Sequence, residues 1–201
     1  TGVRLSVFEL MTARVWKHDI KLPELWKAAS TQHPIFNDYK IDPYYILQAI
    51  SLSSRENPSC KKKDILALSS ATIAEHWPKV VKGLANGLEI MRQDCKIINR
   101  KWLPTPSMLG PLAAMLAISG ASGAAVGAHR VQVVRWLWCS IFGERYQAAA
   151  NTRAEKDVAD MKVWFAGGAP PDHVKNFRFD RQVLRELYKP GSIYKGVICL
   201  T

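Results

Sequence analysis

Apolar side chains in this chain recur at three- and four-residue spacing, and no stretch alternates long enough to suggest a strand pair. Ser6 and Glu9 form a capping box, with Leu5 and Leu10 placed as its hydrophobic staple, so a helix is predicted over residues 7–18. Pro23 suits the first turn of a second helix that runs past Leu25 and Trp26 and ends before Pro34. Asp42-Pro43 starts a third, with Ile46, Leu47 and Ile50 on one face and Asn57-Pro58 as its stop. A short segment follows the triple lysine 61–63. Ser69 or Ser70 then caps a long helix carrying Ile73, Trp77, Val80, Val81, Leu84, Leu88 and Met91, in which Pro78 is expected to cause a kink or end a first short turn.

Lys101–Pro106 reads as a loop and Met108–Ser119 as a buried helix. Gly120–Gly127 reads as a flexible linker, the one place where the chain divides if it divides at all. In the helix over 129–142, Val131, Val134, Leu137, Trp138 and Ile141 form the expected core stripe. Gly143 breaks that helix ahead of another ending near Phe165, and Asp180 caps a short one containing Val183, Leu184 and Leu187. The pattern gives an all-α fold, an irregular multi-helix bundle of eight to ten helices spanning 1–201 as one helical domain.

Composition sharpens this picture. Seven tryptophans in 201 residues imply that most of them fill a core. The formal charge is +11, and nearly all the surplus lies after Ser59, which favours a polyanionic partner through long-range attraction and counterion release. A solvated basic surface would show the same balance. Cys60, Cys95, Cys139 and Cys199 are widely spaced with no paired motif. With no signal peptide, the apolar runs around Cys139 and Cys199 point to small buried thiols in a reducing, cytoplasmic setting. Met108–Gly127 is too rich in Ala, Gly and Ser to serve as a membrane span. Thr1 opens the chain without methionine and Val197–Thr201 ends it in an apolar run, so we expect both ends to be cuts through a longer polypeptide.

Catalytic chemistry is thin. His18, His33, His76, His129 and His173 make no metal-ligand spacing and are expected at surfaces or caps. Asp157 and Asp160 share a helix face that reads as solvated. No nucleophile elbow and no phosphate-binding loop occurs, and no cofactor is expected in this chain. The segment Gly143–Lys156 is the most informative, with Arg145, Tyr146, Gln147, Asn151, Thr152 and Arg153 close together. Arginine forks suit phosphates, tyrosine stacks, and asparagine bonds bases or sugars. Two readings of this cluster stay open: a nucleic-acid contact, or an internal Arg-Tyr-Asn network bracing two helices.

Several strings resemble landmarks of GmrSD-like proteins. Thr1–Ala13, reading TGVRLSVFELMTA, is similar to that family's opening signature. Asp42–Ile50, Lys101–Pro104, Phe142–Tyr146, Asn151–Arg153 and Tyr194–Val197 resemble later landmarks of one branch. The resemblance implies a bacterial type IV restriction or phage-defence endonuclease, with a nucleotide-using ParB-like domain first, a helical region next and an HNH nuclease domain last. This chain would be the helical middle. It lacks both the first domain's Asp-Gly-Gln-Gln-Arg motif and the nuclease's metal-binding histidines, so cleavage would belong to other parts of the parent. The expected partners are DNA, through Arg145, Tyr146, Asn151 and Arg153 with Lys61, Lys62 and Lys63 as weaker phosphate contacts, and the neighbouring domains of the same chain. The alternative is a scaffold without DNA contact, whose tryptophan-rich helices dock those domains or a second copy.

Overall fold

The computed structural model describes residues 5–120, 123–180, 182 and 191–200. Among them lie eleven α-helices and no strand: α1 Val7–Val15, α2 Leu22–Gln32, α3 Ile35–Asp38, α4 Tyr44–Ser53, α5 Lys62–Leu66, α6 Ser70–Asp94, α7 Leu109–Ile118, α8 Gly123–Phe142, α9 Ala150–Phe165, α10 Asp172–Lys175 and α11 Ser192–Leu200. The all-α prediction holds, with α3 and α10 as single turns that the periodicity did not predict. No helix among the described residues is long and apolar enough to cross a membrane.

The local signals act as expected. Ser6 Oγ accepts the Glu9 amide at 3.2 Å while the Glu9 carboxylate accepts the Ser6 amide at 2.7 Å, and the single-turn 3-10 segment Trp16–His18 extends α1 to the predicted end. Leu5 is half exposed, so the staple adds little. Ser69, not Ser70, caps α6. That helix continues through Pro78 as one element of 25 residues. A mid-helix proline costs about 3 kcal/mol, but burying Trp77, Val80, Val81 and Leu84 around it returns about 1.5–3 kcal/mol each.

At the centre is α7, whose residues Leu109–Leu116 are all buried. It packs against α6, α4 and α9. The approach to α6 is close because Gly83 has no side chain: a Cβ there would stand 2.6 Å from the Ala113 carbonyl oxygen. Buried along seven consecutive residues, Ile46–Leu52, α4 fills the next layer. α8 packs against α6, and α10 and α11 pack against α8.

Two expectations about α8 are corrected. The helix starts at Gly123, inside the stretch read as a linker. Its inward stripe is Val133, Trp136, Leu137, Ser140 and Ile141, while Val131 is 78% exposed. The helix is apolar most of the way round, so spacing alone left its rotation undetermined; Trp136 turns inward, where its indole N–H has a buried partner. The helix expected after Asp180 lies outside the described residues.

Candidate nucleic-acid interface

The cluster read as GERYQAAANTR straddles a turn. After Phe142 the chain reverses through Gly143–Ala149, with Glu144 and Ala149 at φ 48° and 52° in the left-handed region, and α9 begins at Ala150. Arg145 and Tyr146 therefore lie in the turn, and Asn151, Thr152 and Arg153 in the first turn of α9. They do not share one helical face as a continuous helix would have required. The Arg145 amide donates to the Ser140 carbonyl at 3.0 Å, which folds the turn back over α8.

This turn aims its side chains at Asp157, which is fully buried on α9. Arg145 Nε donates to both carboxylate oxygens at 2.8 and 2.9 Å, and Nη2 donates to Oδ1 at 2.5 Å. Tyr146 Oη donates to Oδ2 at 2.7 Å, and Trp136 Nε1 donates to the same oxygen at 3.0 Å. The Trp136 and Tyr146 rings meet edge to face at 6.1 Å. One carboxylate thus ties together α8, the 143–149 turn and α9. Of the two readings left open, Arg145 and Tyr146 take the internal brace: the Arg145 side chain is 9% exposed and Tyr146 is buried. Burial, and then the Asp157 charge, push the Tyr146 hydroxyl well above its ordinary range, so it stays a donor.

His173, on α10, completes the cluster. Its Nδ1 stands 3.8 Å from Asp157 Oδ1 without a hydrogen bond, and Nε2 is 3.3 Å from Ser140 Oγ. Burial pushes its pKa down from 6.5 to about 4; Asp157 opposes that shift and Arg145 adds to it. The expectations for these two residues are corrected: Asp157 is not on a solvated face, and His173 is neither a surface nor a capping residue. A signal for Asp157 was present. Ala154, Asp157, Val158 and Met161 form one stripe at helical spacing, so the aspartate occupies a core position. His173 and Trp136 reach it only through tertiary packing.

The rest of the predicted cluster faces outward. Asn151, Thr152 and Arg153 are exposed, and so are Lys61, Lys62 and Lys63 at the start of α5. The fold brings these two groups together. Glu155 Oε1 accepts the Cys60 amide at 3.0 Å and the Ser59 hydroxyl at 3.1 Å. Cys60 Sγ donates to the Asn151 carbonyl at 3.6 Å, and the Gln48 amide reaches Asn151 Oδ1 at 3.4 Å. The lysine run is thereby fixed beside the first turn of α9. That turn has no side-chain cap and no acidic residue, so its free amides add positive potential to the four cations. Burial, followed by the nearby Glu155 charge, pushes the Cys60 thiol up to about 11, so it remains protonated. Among the described residues no group of His, Cys, Asp and Glu is arranged to hold a metal ion, and all four cysteines are buried and free.

No family model matches this chain, and no solved structure matches it. It aligns over its whole length, across 223 aligned positions at 28% identity, with an uncharacterized protein of Methanocaldococcus jannaschii, and it spans 36% of that protein's length.

Proposed function

We propose that this chain is the helical, DNA-contacting middle region of a cytoplasmic GmrSD-like restriction or phage-defence nuclease, with strand cleavage performed by other parts of the parent protein. The observation that carries the reading is the contact of Cys60, next to the lysine run, with Asn151 and Glu155, more than ninety residues on, at the uncapped start of α9. Lys61–Lys63 and Arg153 outnumber the Glu155 and Asp64 carboxylates beside this helix N-terminus, and a phosphate backbone balances the remaining positive charge while releasing counterions. The Asp157 brace gives this face a fixed geometry, and through the 143–149 turn it links α8 and α10 to the contact surface. The test is titration of the chain with duplex DNA over a salt series. Micromolar binding at low ionic strength that weakens steeply with salt is expected; no binding at low ionic strength ends the DNA reading.

A second reading, a scaffold that docks neighbouring domains or another copy, draws on exposed apolar side chains. Val131 is 78% and Leu200 61% exposed. Concentration-dependent association in sedimentation, without DNA binding, would favour it.

A further inference from the structure

Beside the brace is a cleft of about 600 Å³, between the end of α8, the first turn of α9 and residues 176–180. Its size falls in the range of roughly 300–1,000 Å³ typical of small-ligand sites. Two kinds of side chain line it. Phe177 and Phe179 present aromatic surface, and Phe179 is 39% exposed although its edge is held against Phe142 at 5.2 Å. Phe142 is itself stacked on Trp138 at 5.5 Å, so the exposed ring stands on an ordered aromatic row. Arg153 and Arg178 supply the charge.

The pairing of its charged groups bears on what the cleft can hold. Arg145 also lines it but is neutralised by Asp157. Glu144 accepts the Gln147 side-chain amide and, at 3.5 Å, the Ser192 hydroxyl, and Asp180 accepts the Gln182 backbone amide at 2.9 Å; these donors are neutral, so both carboxylates keep their charge while their oxygens are engaged. His173, with its pKa near 4, is neutral at neutral pH. Arg153 and Arg178 have no carboxylate partner among the described residues, and only one nitrogen of Arg178 is used, on the Phe177 carbonyl at 3.0 Å. Two guanidinium groups that are not ion-paired with the Glu144 and Asp180 carboxylates of the same cleft stand beside a fixed aromatic face, and suit a ligand that is flat and apolar at one end and anionic at the other.

We propose that this cleft holds a nucleoside phosphate, with the base against Phe179 and Phe177 and the phosphate on Arg153 and Arg178. The exposed Asn176 amide stands at the cleft wall, where it can bond a base edge. The proposal deepens the DNA reading, on which it rests only for the source of the nucleotide: an unpaired residue of a strand, or a free mononucleotide.

The test measures binding of a short labelled oligothymidylate, a duplex of the same length, and free thymidine monophosphate to the protein and to Phe179→Ala, Phe179→Leu and Arg178→Ala. These positions are exposed, and thermal unfolding of each variant checks that the fold is kept. Loss of one stacked base weakens binding roughly 5- to 150-fold. Phe179→Ala and Phe179→Leu are expected to lose single-strand affinity in that range and to leave duplex affinity within twofold, because leucine keeps apolar bulk but has no ring face. Arg178→Ala is expected to weaken single-strand binding and flatten its salt dependence. If Phe179→Ala and Arg178→Ala bind the single strand like the unaltered protein while duplex binding persists, the cleft proposal is overturned and the DNA reading survives. If only the mononucleotide binds, and Phe179→Ala abolishes it, the cleft stands and the DNA reading falls. No binding of any of the three ligands overturns both.

Discussion

Replacing Asp157 by asparagine keeps the shape of the buried side chain and removes its charge. The Arg145 guanidinium, on a side chain 9% exposed, then has no counter-ion, and the new amide NH2 points donors at the donors of Arg145. The amide oxygen still accepts from Tyr146 or Trp136, so the cost is chiefly that of the stranded cation. Breaking one side of a buried pair costs about 3–5 kcal/mol. Against a total of about 5–15 kcal/mol for an ordinary domain, that is a large share of the stability. Urea denaturation followed by tryptophan emission is the assay, since Trp136 lies 3.0 Å from the altered group. The midpoint falls and the slope with denaturant stays constant. Adding Arg145→Met to Asp157→Asn recovers part of the loss, because methionine in place of the arginine leaves no buried cation without a counter-ion, and the two substitutions couple by more than about 1 kcal/mol. A loss below about 1 kcal/mol for Asp157→Asn, or strict additivity in the double variant, would refute the brace.

Three further outcomes follow from the same geometry. His173 has a folded pKa near 4 against 6.5 in the free side chain, so the unfolded chain takes up the proton first. Its contribution is complete above about pH 6.5, is lost as pH falls toward 4, and amounts to roughly 3 kcal/mol at most; His173→Gln flattens the stability profile over that window in urea melts at stepped pH. Gly83→Ala forces a Cβ to 2.6 Å from the Ala113 oxygen and 2.9 Å from the Ala117 nitrogen, both backbone, and should destabilise by roughly 1–3 kcal/mol. Gly127→Ala, in helix and facing open space, should instead stabilise by about 0.5–1 kcal/mol, and the paired thermal midpoints check both signs.

What the sequence disclosed was what a few neighbouring residues decide. The Ser6–Glu9 box, the Ser69 cap and Pro23 in the first turn of α2 act within one helical turn, and each helix started where they placed it. The rotation of α8 was not legible, because Val131 and Val133 are equally apolar and only the Asp157 partner of Trp136 selects the face. Asp157 itself was half legible. Its place in the Ala154–Val158–Met161 stripe marks it as interior, but its charge suggested solvent until Arg145 was seen to reach it across the turn. Closeness in sequence grouped Arg145 and Tyr146 with Asn151 and Arg153 as one contact set; the left-handed residues Glu144 and Ala149 separate them into an inner pair and an outer group. That the lysine run lies beside the outer group depends on Glu155 and Cys60, two unremarkable residues that no spacing rule connects.

The claim that a polyanion is met by a surface assembled from Lys61–Lys63 and α9 is tested most directly by the slope of log affinity for duplex DNA against log salt. Each phosphate contact contributes about 0.9 to that slope. A drop of about 1 is expected for Arg153→Ala and of about 2–3 for the triple Lys61→Ala, Lys62→Ala, Lys63→Ala variant, with unfolding midpoints unchanged because all four side chains are exposed. Slopes that stay the same in both variants while DNA still binds would contradict it.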